Sequence, residues 1–503
     1  MTAPAAFRPK NRAAVEAPGV PGLTALATAL LPLLLAGCVA MAPPYAAPAL
    51  PVAVQYPGDA GAGPTDGRAV AATGWRDYFA DPRLQTLITQ ALDHNRDLRS
   101  TALRVEEARA AAGIQRADLF PTVGAQAGID RSRTPADLSI TRQPQLGSQY
   151  QAALGLASWE IDFWGRVRSL NDAALENFLA TDAARQAVMV GLIAQVANSY
   201  LGLCELDERL VLARRSTASR EESLRIFTRR VAVGAASRLQ LTQMQTLLTQ
   251  AQALVAQLAL ARAQQAHALT LLAGSAVDLS PAARPLDAHQ IPPLRAGLPS
   301  DLLTLRPDIV AAEHQLRAAH AQIGAARAAF FPRIALTGLY GTASSQLAGL
   351  FDAGSQKWVL SPLVSLPLLD AGRRENNLSL AEVRRHLAVA NYEKAVQGAF
   401  RDVSDALAAR AGLARQLVIA QDALAAQAER ARLSQLRYDH GASAFLDVLD
   451  AQRDLLVAEQ QVVQVRRALL SAQVSLYAAL GGGGLTVPAT GAVPPANPAR
   501  PAP

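Results

Sequence analysis

Hydrophobic and polar positions alternate over four short stretches and repeat with a helical period almost everywhere else. Val123, Ala125, Ala127 and Ile129 share one face of an extended segment, with Thr122, Gln126 and Asp130 on the other. Tyr150, Ala152, Leu154 and Leu156 continue the pattern in a second segment. It returns at Ile334, Leu336, Gly338 and Tyr340, then at Trp358, Leu360, Pro362, Val364 and Leu366. A period of two is the strand signature. The chain therefore predicts four amphipathic strands of about 10 residues, the length of a tilted membrane-spanning β-strand. The competing reading is an ordinary soluble hairpin in each half.

Helical periodicity predicts a first helix over Pro82–Leu119 and its equivalent over Asp308–Phe330, stopped by Pro121 and Pro332. Proline ends a helix because it lacks an N–H and clashes with the preceding turn. No proline lies between Pro144 and Pro281, or between Pro367 and Pro488. Val448, Leu455, Val462, Leu469 and Leu476 are spaced by seven, and Ala451, Ala458, Val465, Ala472 and Ala479 follow three residues later. The same spacing marks Leu241, Leu248, Val255, Arg262 and Leu269, with Met244, Ala251, Leu258, Gln265 and Leu272. Such heptads favour left-handed coiled packing. The path from Gly165 to Val233 is roughly 100 Å as a helix, far more than a compact globule needs.

The two halves repeat each other. Asp97-Leu98 matches Asp308-Ile309 and Phe120-Pro121 matches Phe331-Pro332, both at an offset of 211. Gly165-Arg166 matches Gly372-Arg373, Gly234 matches Gly441, and Gly274 matches Gly481, all at an offset of 207. One length difference between Pro121 and Gly165 reconciles the offsets. The chain is thus read as a tandem duplication of about 210 residues, too long a period for a solenoid. Four strands cannot close a barrel, since single-chain barrels begin at about eight, and open strand edges are not tolerated in lipid. If these strands span a membrane, several chains must pool them; three would give twelve.

Composition narrows the picture. A chain that is 50% hydrophobic is not disordered. The one long, nearly uncharged apolar run, Leu23–Ala42, argues against a polytopic helical membrane protein. The net charge of +7 comes almost wholly from arginines scattered along helices, which reads as solvated helix faces and not as a nucleic-acid site. Arg8, Lys10 and Arg12 precede the apolar Leu23–Ala36, and small residues follow. That order is signal-peptide grammar. The alternative is an uncleaved anchor helix. Residues 1–37 are read as the signal, 38–74 as an extended linker, 75–274 as the first repeat, 275–305 as a connecting linker, 306–480 as the second repeat and 481–503 as a disordered tail. Two cysteines, Cys38 and Cys204, make no disulfide framework, and Cys204 is expected to be buried on a helix.

Leu35-Ala36-Gly37-Cys38 resembles a bacterial lipobox. This implies cleavage before Cys38 and a covalent diacylglycerol and N-acyl lipid there. The wider chain resembles the TolC-like outer membrane factor family, specifically its lipidated efflux branch. The resemblance rests on Leu305-Arg306-Pro307-Asp308-Ile309, Ala328-Ala329-Phe330-Phe331-Pro332, Trp159-Glu160-Ile161-Asp162-Phe163-Trp164-Gly165-Arg166, and Leu446-Asp447-Val448-Leu449-Asp450-Ala451-Gln452. It implies a mostly α fold with a membrane β-barrel. Four strands per chain would be pooled into a trimeric 12-stranded barrel, and the long helices would form a periplasmic α-barrel. It implies a homotrimer partnered by a periplasmic adaptor and an RND-type inner-membrane pump, with no cofactor beyond the lipid. Gly234, Ala235 and Ser237, with Gly441, Ala442 and Ser443, would form the tips that meet the adaptor. Asp447 and Asp450 lie three apart on one helix face, and their repeat counterparts are Gln240 and Gln243. They are read either as a solvated face or, by resemblance, as acids narrowing the tunnel mouth, with Tyr438 a further gate candidate. An Arg found near this turn in TolC, the family's namesake, is Ser443 here.

No catalytic constellation is found. His314 and His320 are six apart, off the spacing of a helical metal pair, and read as surface residues. Gly481–Gly484 lacks the Lys-Ser/Thr of a phosphate loop. The expected function is the passive outer-membrane exit duct of an efflux system for drugs, metals or other small molecules. The alternatives are the exit channel of a type I protein secretion system, or a coiled-coil lipoprotein without a pore.

Overall fold

The four alternating segments pair into one antiparallel sheet. The computed structural model describes residues 41–53, 55, 56, 68, 69, 73–280, 287, 291, 292, 294, 295 and 299–482. Its strands are β1 (Val123–Thr134), β2 (Gln145–Glu160), β3 (Arg333–Ser344) and β4 (Gln356–Ser365), in that spatial order. Ala125 lies opposite Leu154, Leu154 opposite Tyr340, and Tyr340 opposite Trp358. Opposed residues share a face. The register therefore gathers the whole apolar set, from Val123 to Val364, on one face. The other face carries Gln126, Gln151, Ala153, Thr337 and Ser361. A bulge between Leu156 and Trp159 sets Trp159 opposite Leu336 on the apolar face and Glu160 opposite Ala335 on the other. β1 and β4 are edges, and the edge strand is where Pro362 is tolerated.

The strands and their flanking segments, 118–170 and 322–378, form one compact unit. Residues 44–117, 171–321 and 379 onward form a second. Each unit therefore takes segments from both repeats. The helices are α1 (Pro82–His94), α2 (Arg96–Ala117), α3 (Arg166–Ala232), α4 (Arg238–Ala273), α5 (Pro307–Ala328), α6 (Arg373–Asp439) and α7 (Phe445–Ala479). α3 and α6 each run for 67 residues, and α4 and α7 for 36 and 35. α3 is long and apolar enough to cross a membrane, but 67% of its most apolar window is buried within the chain, so it reads as a core helix. Val448, Ala451, Val462, Val465, Leu469, Ala472, Leu476 and Ala479 of the heptad seam are buried. Tyr78 stacks on Tyr477 at 4.5 Å and donates to the Gln473 carbonyl at 3.0 Å.

The first helix is not continuous from Pro82, as the periodicity suggested; it breaks at Asn95. Asn95 is extended (φ −63°, ψ 129°). Its Oδ1 accepts from the N–H groups of Asp97 and Leu98, capping α2. Its Nδ2 donates to the Leu272 carbonyl at 2.9 Å. Arg306 does the equivalent in the second repeat, donating to the Ala479 carbonyl at 3.2 Å. Gly274 and Gly481 end α4 and α7 with φ of +70° and +93°. Cys204 is buried, and burial pushes its thiol up to about 11.

His314 and His320 are not surface residues. His320 is buried edge-on against Tyr45. His314 Nδ1 meets Glu176 Oε2 at 2.6 Å across to α3. The segment around Tyr45 lies on α5 through Glu313 and Arg317, which periodicity within α5 alone does not reveal.

Candidate functional site

The two tight turns have the same construction. In the first, the Ala235 N–H reaches the Arg230 carbonyl and the Gly234 N–H reaches the Val231 carbonyl. In the second, the Ala442 N–H reaches Arg437 and the Gly441 N–H reaches Tyr438. This double closure needs a left-handed residue, and Gly234 (φ +73°) and Gly441 (φ +74°) supply it. A Cβ on either would meet nothing within 4 Å, so these glycines are demanded by the backbone and not by packing.

The helices leaving the two turns start differently. Ser237 caps α4, and Gln240 answers back to the Ser237 N–H at 2.9 Å, a full capping box. α7 begins after Ala444, which has no side-chain cap. The position matching Gln240 is thereby released from capping and holds Asp447, an acid in the first turn, where the helix dipole favours negative charge. Asp447 is exposed. Asp450 is half-buried, with its Oδ1 at 3.4 Å from Arg453. Arg453 also meets Asp454 at 3.1 Å, and Arg430 meets Asp454 at 2.7 Å. Arg430 first, then Arg453, hold the Asp454 carboxyl below the usual carboxylate range. Arg220 on α3 is buried and its Nη1 has no hydrogen-bond partner among the described residues; burial, then the Arg453 charge, lower its pKa. The two acids are therefore not equivalent, since Asp450 is partly neutralised and Asp447 is not.

Tyr438 is tied across the repeats. Arg230 of α3 donates to its hydroxyl at 2.5 Å and lies over its ring at 5.9 Å. Phe445 of α7 packs against both Tyr438 and Phe227 at 4.9 Å. Phe227, Met244 and Leu449 are the buried centre of this small cluster. Both turns and the gate candidates thus gather at one end of the helical unit. Arg230 was missed by sequence reasoning. Its only local signal is a cation in the last turn of a helix, which many helices show. Ser443 contributes no link, as its hydroxyl has no partner among the described residues. Cys38 lies outside the described residues.

A family model described as "Outer membrane efflux protein" matches the chain twice, over residues 87–275 and 298–482. The chain belongs to the outer membrane efflux protein family. It is similar to the antibiotic efflux pump outer membrane protein ArpC of Pseudomonas putida, at 42% identity over 91% of this chain and 95% of that protein. It is 43% identical to outer membrane protein OprJ of Pseudomonas aeruginosa over the same shares of each chain. Among solved structures it is similar to the open state of the MtrE outer membrane channel of Neisseria gonorrhoeae, at 38% identity and a TM-score of 0.80, over 89% of this chain and 99% of that one. This efflux protein therefore has the TolC-like channel fold and resides in the outer membrane. Its role there is transport.

Proposed function

We propose that three copies of this chain pool their sheets into one 12-stranded barrel and form the passive exit duct of a tripartite efflux system. One observation carries this reading: a four-stranded sheet with one face apolar from Val123 to Ile129 and across to Val364, its arginines Arg131 and Arg133 confined to the far end of β1, and two edges that no described strand covers. Isolated, it would leave rows of backbone groups unsatisfied in lipid. Joined edge to edge, β4 of one copy pairs with β1 of the next, and the apolar face meets the hydrocarbon. The helical unit continues the duct in the periplasm, where the tips at Gly234, Ala235 and Ser237 and at Gly441, Ala442 and Ser443 meet an adaptor. An RND-type inner-membrane pump supplies the energy, so the chain itself is not an enzyme. Acyl groups on Cys38 add a second hold on the membrane. The antibiotic named for ArpC favours a small-molecule cargo.

The test is native mass measurement in detergent together with planar-bilayer recording. A trimer with a stable conductance is expected. A monomer that gives no conductance overturns the proposal. For the anchor, palmitate-analogue labelling is expected in the wild type and lost in Cys38→Ser; equal labelling of both removes lipidation from the account.

A further inference from the structure

The sheet face opposite the apolar one carries few charges. Gly124, Gln126, Ala153, Gly155, Thr337, Leu339, Val359 and Ser361 occupy its middle, and none is ionisable. At the end where β2 runs toward α3, three charged side chains meet. Arg166 holds Glu160 with two hydrogen bonds, Nε at 2.8 Å and Nη2 at 2.7 Å. Arg333 reaches the same carboxylate through its Nε at 2.6 Å. The register explains the meeting. The bulge sets Glu160 opposite Ala335, and Arg333 stands two residues along β3 on the same face. The Glu160 side chain is only 10% exposed, whereas that of Arg333 is 57% exposed. Two guanidinium groups share the Glu160 carboxylate, and Asp162 and Asp118 also act on Arg166, so the positive charge left on display is that of the exposed Arg333. A cavity of 290 Å³ lined by Trp164, Phe331 and these three side chains opens beside it. The same face also carries Lys357, in the row of Gly341, Ala153 and Gln126, and Asp130, opposite Gln149.

We infer that Arg333, seated on the Glu160–Arg166 pair, lines the lumen at the helix-proximal end of the barrel and forms a cationic ring that favours anionic solutes there. This rests on the trimeric-barrel reading, which turns the non-apolar face inward. Three arginines converging on one aqueous neck act as a fixed field, and a low-dielectric wall focuses it. The ring opposes the acids at the tips. A solute with both an acidic and a basic group is drawn successively by the two, and a purely cationic solute meets a barrier at the second.

The experiment is reversal-potential measurement across a salt gradient in planar bilayers, using full-length protein. Arg333→Gln is expected to shift the channel toward cation selectivity and Arg333→Glu to shift it further. Both shifts grow at about 0.01 M salt, where the screening length is ~30 Å, and shrink near 1 M, where it is ~3 Å. Arg333→Cys provides a variant corrected after folding. A cationic thiosulfonate reagent should restore the wild-type potential, and an anionic one should move it away. Buried Cys204 offers these reagents no competing thiolate, and labelled wild type serves as the control. Channels of normal conductance whose reversal potential ignores every change at Arg333 overturn the inference. Failure of the wild type itself to conduct overturns the duct reading instead.

Discussion

Arg230 donates a hydrogen bond to the Tyr438 hydroxyl at 2.5 Å, joining helices through residues 208 apart in the chain. The bond ties the C-terminal end of α3 to the last turn of α6, so it resists separation of the two repeats at the tips. It is exposed, and its removal should barely change global stability. Opening of the mouth is a smaller motion and should feel it more. Arg230→Ala and Tyr438→Phe are each expected to raise resting conductance a few-fold in bilayers. Tyr438→Phe keeps the ring contact with Phe445, so it isolates the hydroxyl. The double variant should match the single ones, because both remove one interaction. Additive effects would show that the residues act separately.

The acids at the tip should differ in effect. Arg453 sits 3.4 Å from Asp450 and offsets its charge, whereas Asp447 is exposed, with no ion pair among the described residues. Asp447→Asn is therefore expected to reduce cation selectivity and block by multivalent cations more than Asp450→Asn. Arg453→Gln should move selectivity the opposite way by freeing Asp450. Equal, negligible effects of both Asp variants would place these acids on the outer surface of the helix.

Much of this was legible because it is local. Alternation placed Val123, Leu154, Tyr340 and Trp358 on strand faces, and the observed register puts all four on the same face. The glycines that matched between the repeats, Gly165 and Gly372, Gly234 and Gly441, and Gly274 and Gly481, all have positive φ. What escaped was set by partners distant in sequence. The break at Asn95 depends on a carbonyl of α4, and the burial of His320 depends on Tyr45 lying over α5. Arg333 meets Glu160 only through a bulge that alternation does not announce. The asymmetry between Gln240 and Asp447 was visible in the sequence, and the Ser237-to-Gln240 spacing is itself that of a capping box, whose two hydrogen bonds the structure shows.

Cys204 should make stability fall in alkali. Its folded thiol titrates near 11, against an ordinary 9.0, because burial disfavours the thiolate. Below pH 9 both states hold the proton and the group is neutral to stability. Between pH 9 and 11 the unfolded chain loses the proton and the folded one keeps it, so unfolding is favoured by up to roughly 2 kcal/mol per chain. Buried Tyr78, Tyr200 and Tyr477, also raised by burial, add to the loss at higher pH. Thermal melts of Cys204→Ala against wild type should isolate the thiol: the difference between them narrows as pH rises from 9 to 11. Iodoacetamide at pH 8 should modify the native protein far more slowly than the unfolded one. Rapid native labelling would mean that the helix pair opens around Cys204.

The four helix-ending glycines separate folding from docking. All have left-handed backbone, which costs an L-residue roughly 1–2 kcal/mol. At Gly234 and Gly441 that is the whole penalty, since a Cβ meets nothing within 4 Å. At Gly274 the Cβ would lie 2.3 Å from the His94 carbonyl oxygen, and at Gly481 2.3 Å from that of Leu305. Backbone cannot yield as a side-chain end does, so Gly274→Ala and Gly481→Ala should cost several times more and lower the yield of trimer. Gly234→Ala and Gly441→Ala should leave it nearly intact. Efflux in a deletion strain then distinguishes the sites. Gly441→Glu and Gly234→Glu should abolish export while trimer persists, because the bulk and charge fall on the surface offered to the adaptor. At Gly274 and Gly481, export and trimer should be lost together. If Gly441→Glu and Gly234→Glu both form trimers and both export normally, the adaptor docks elsewhere on the helical unit.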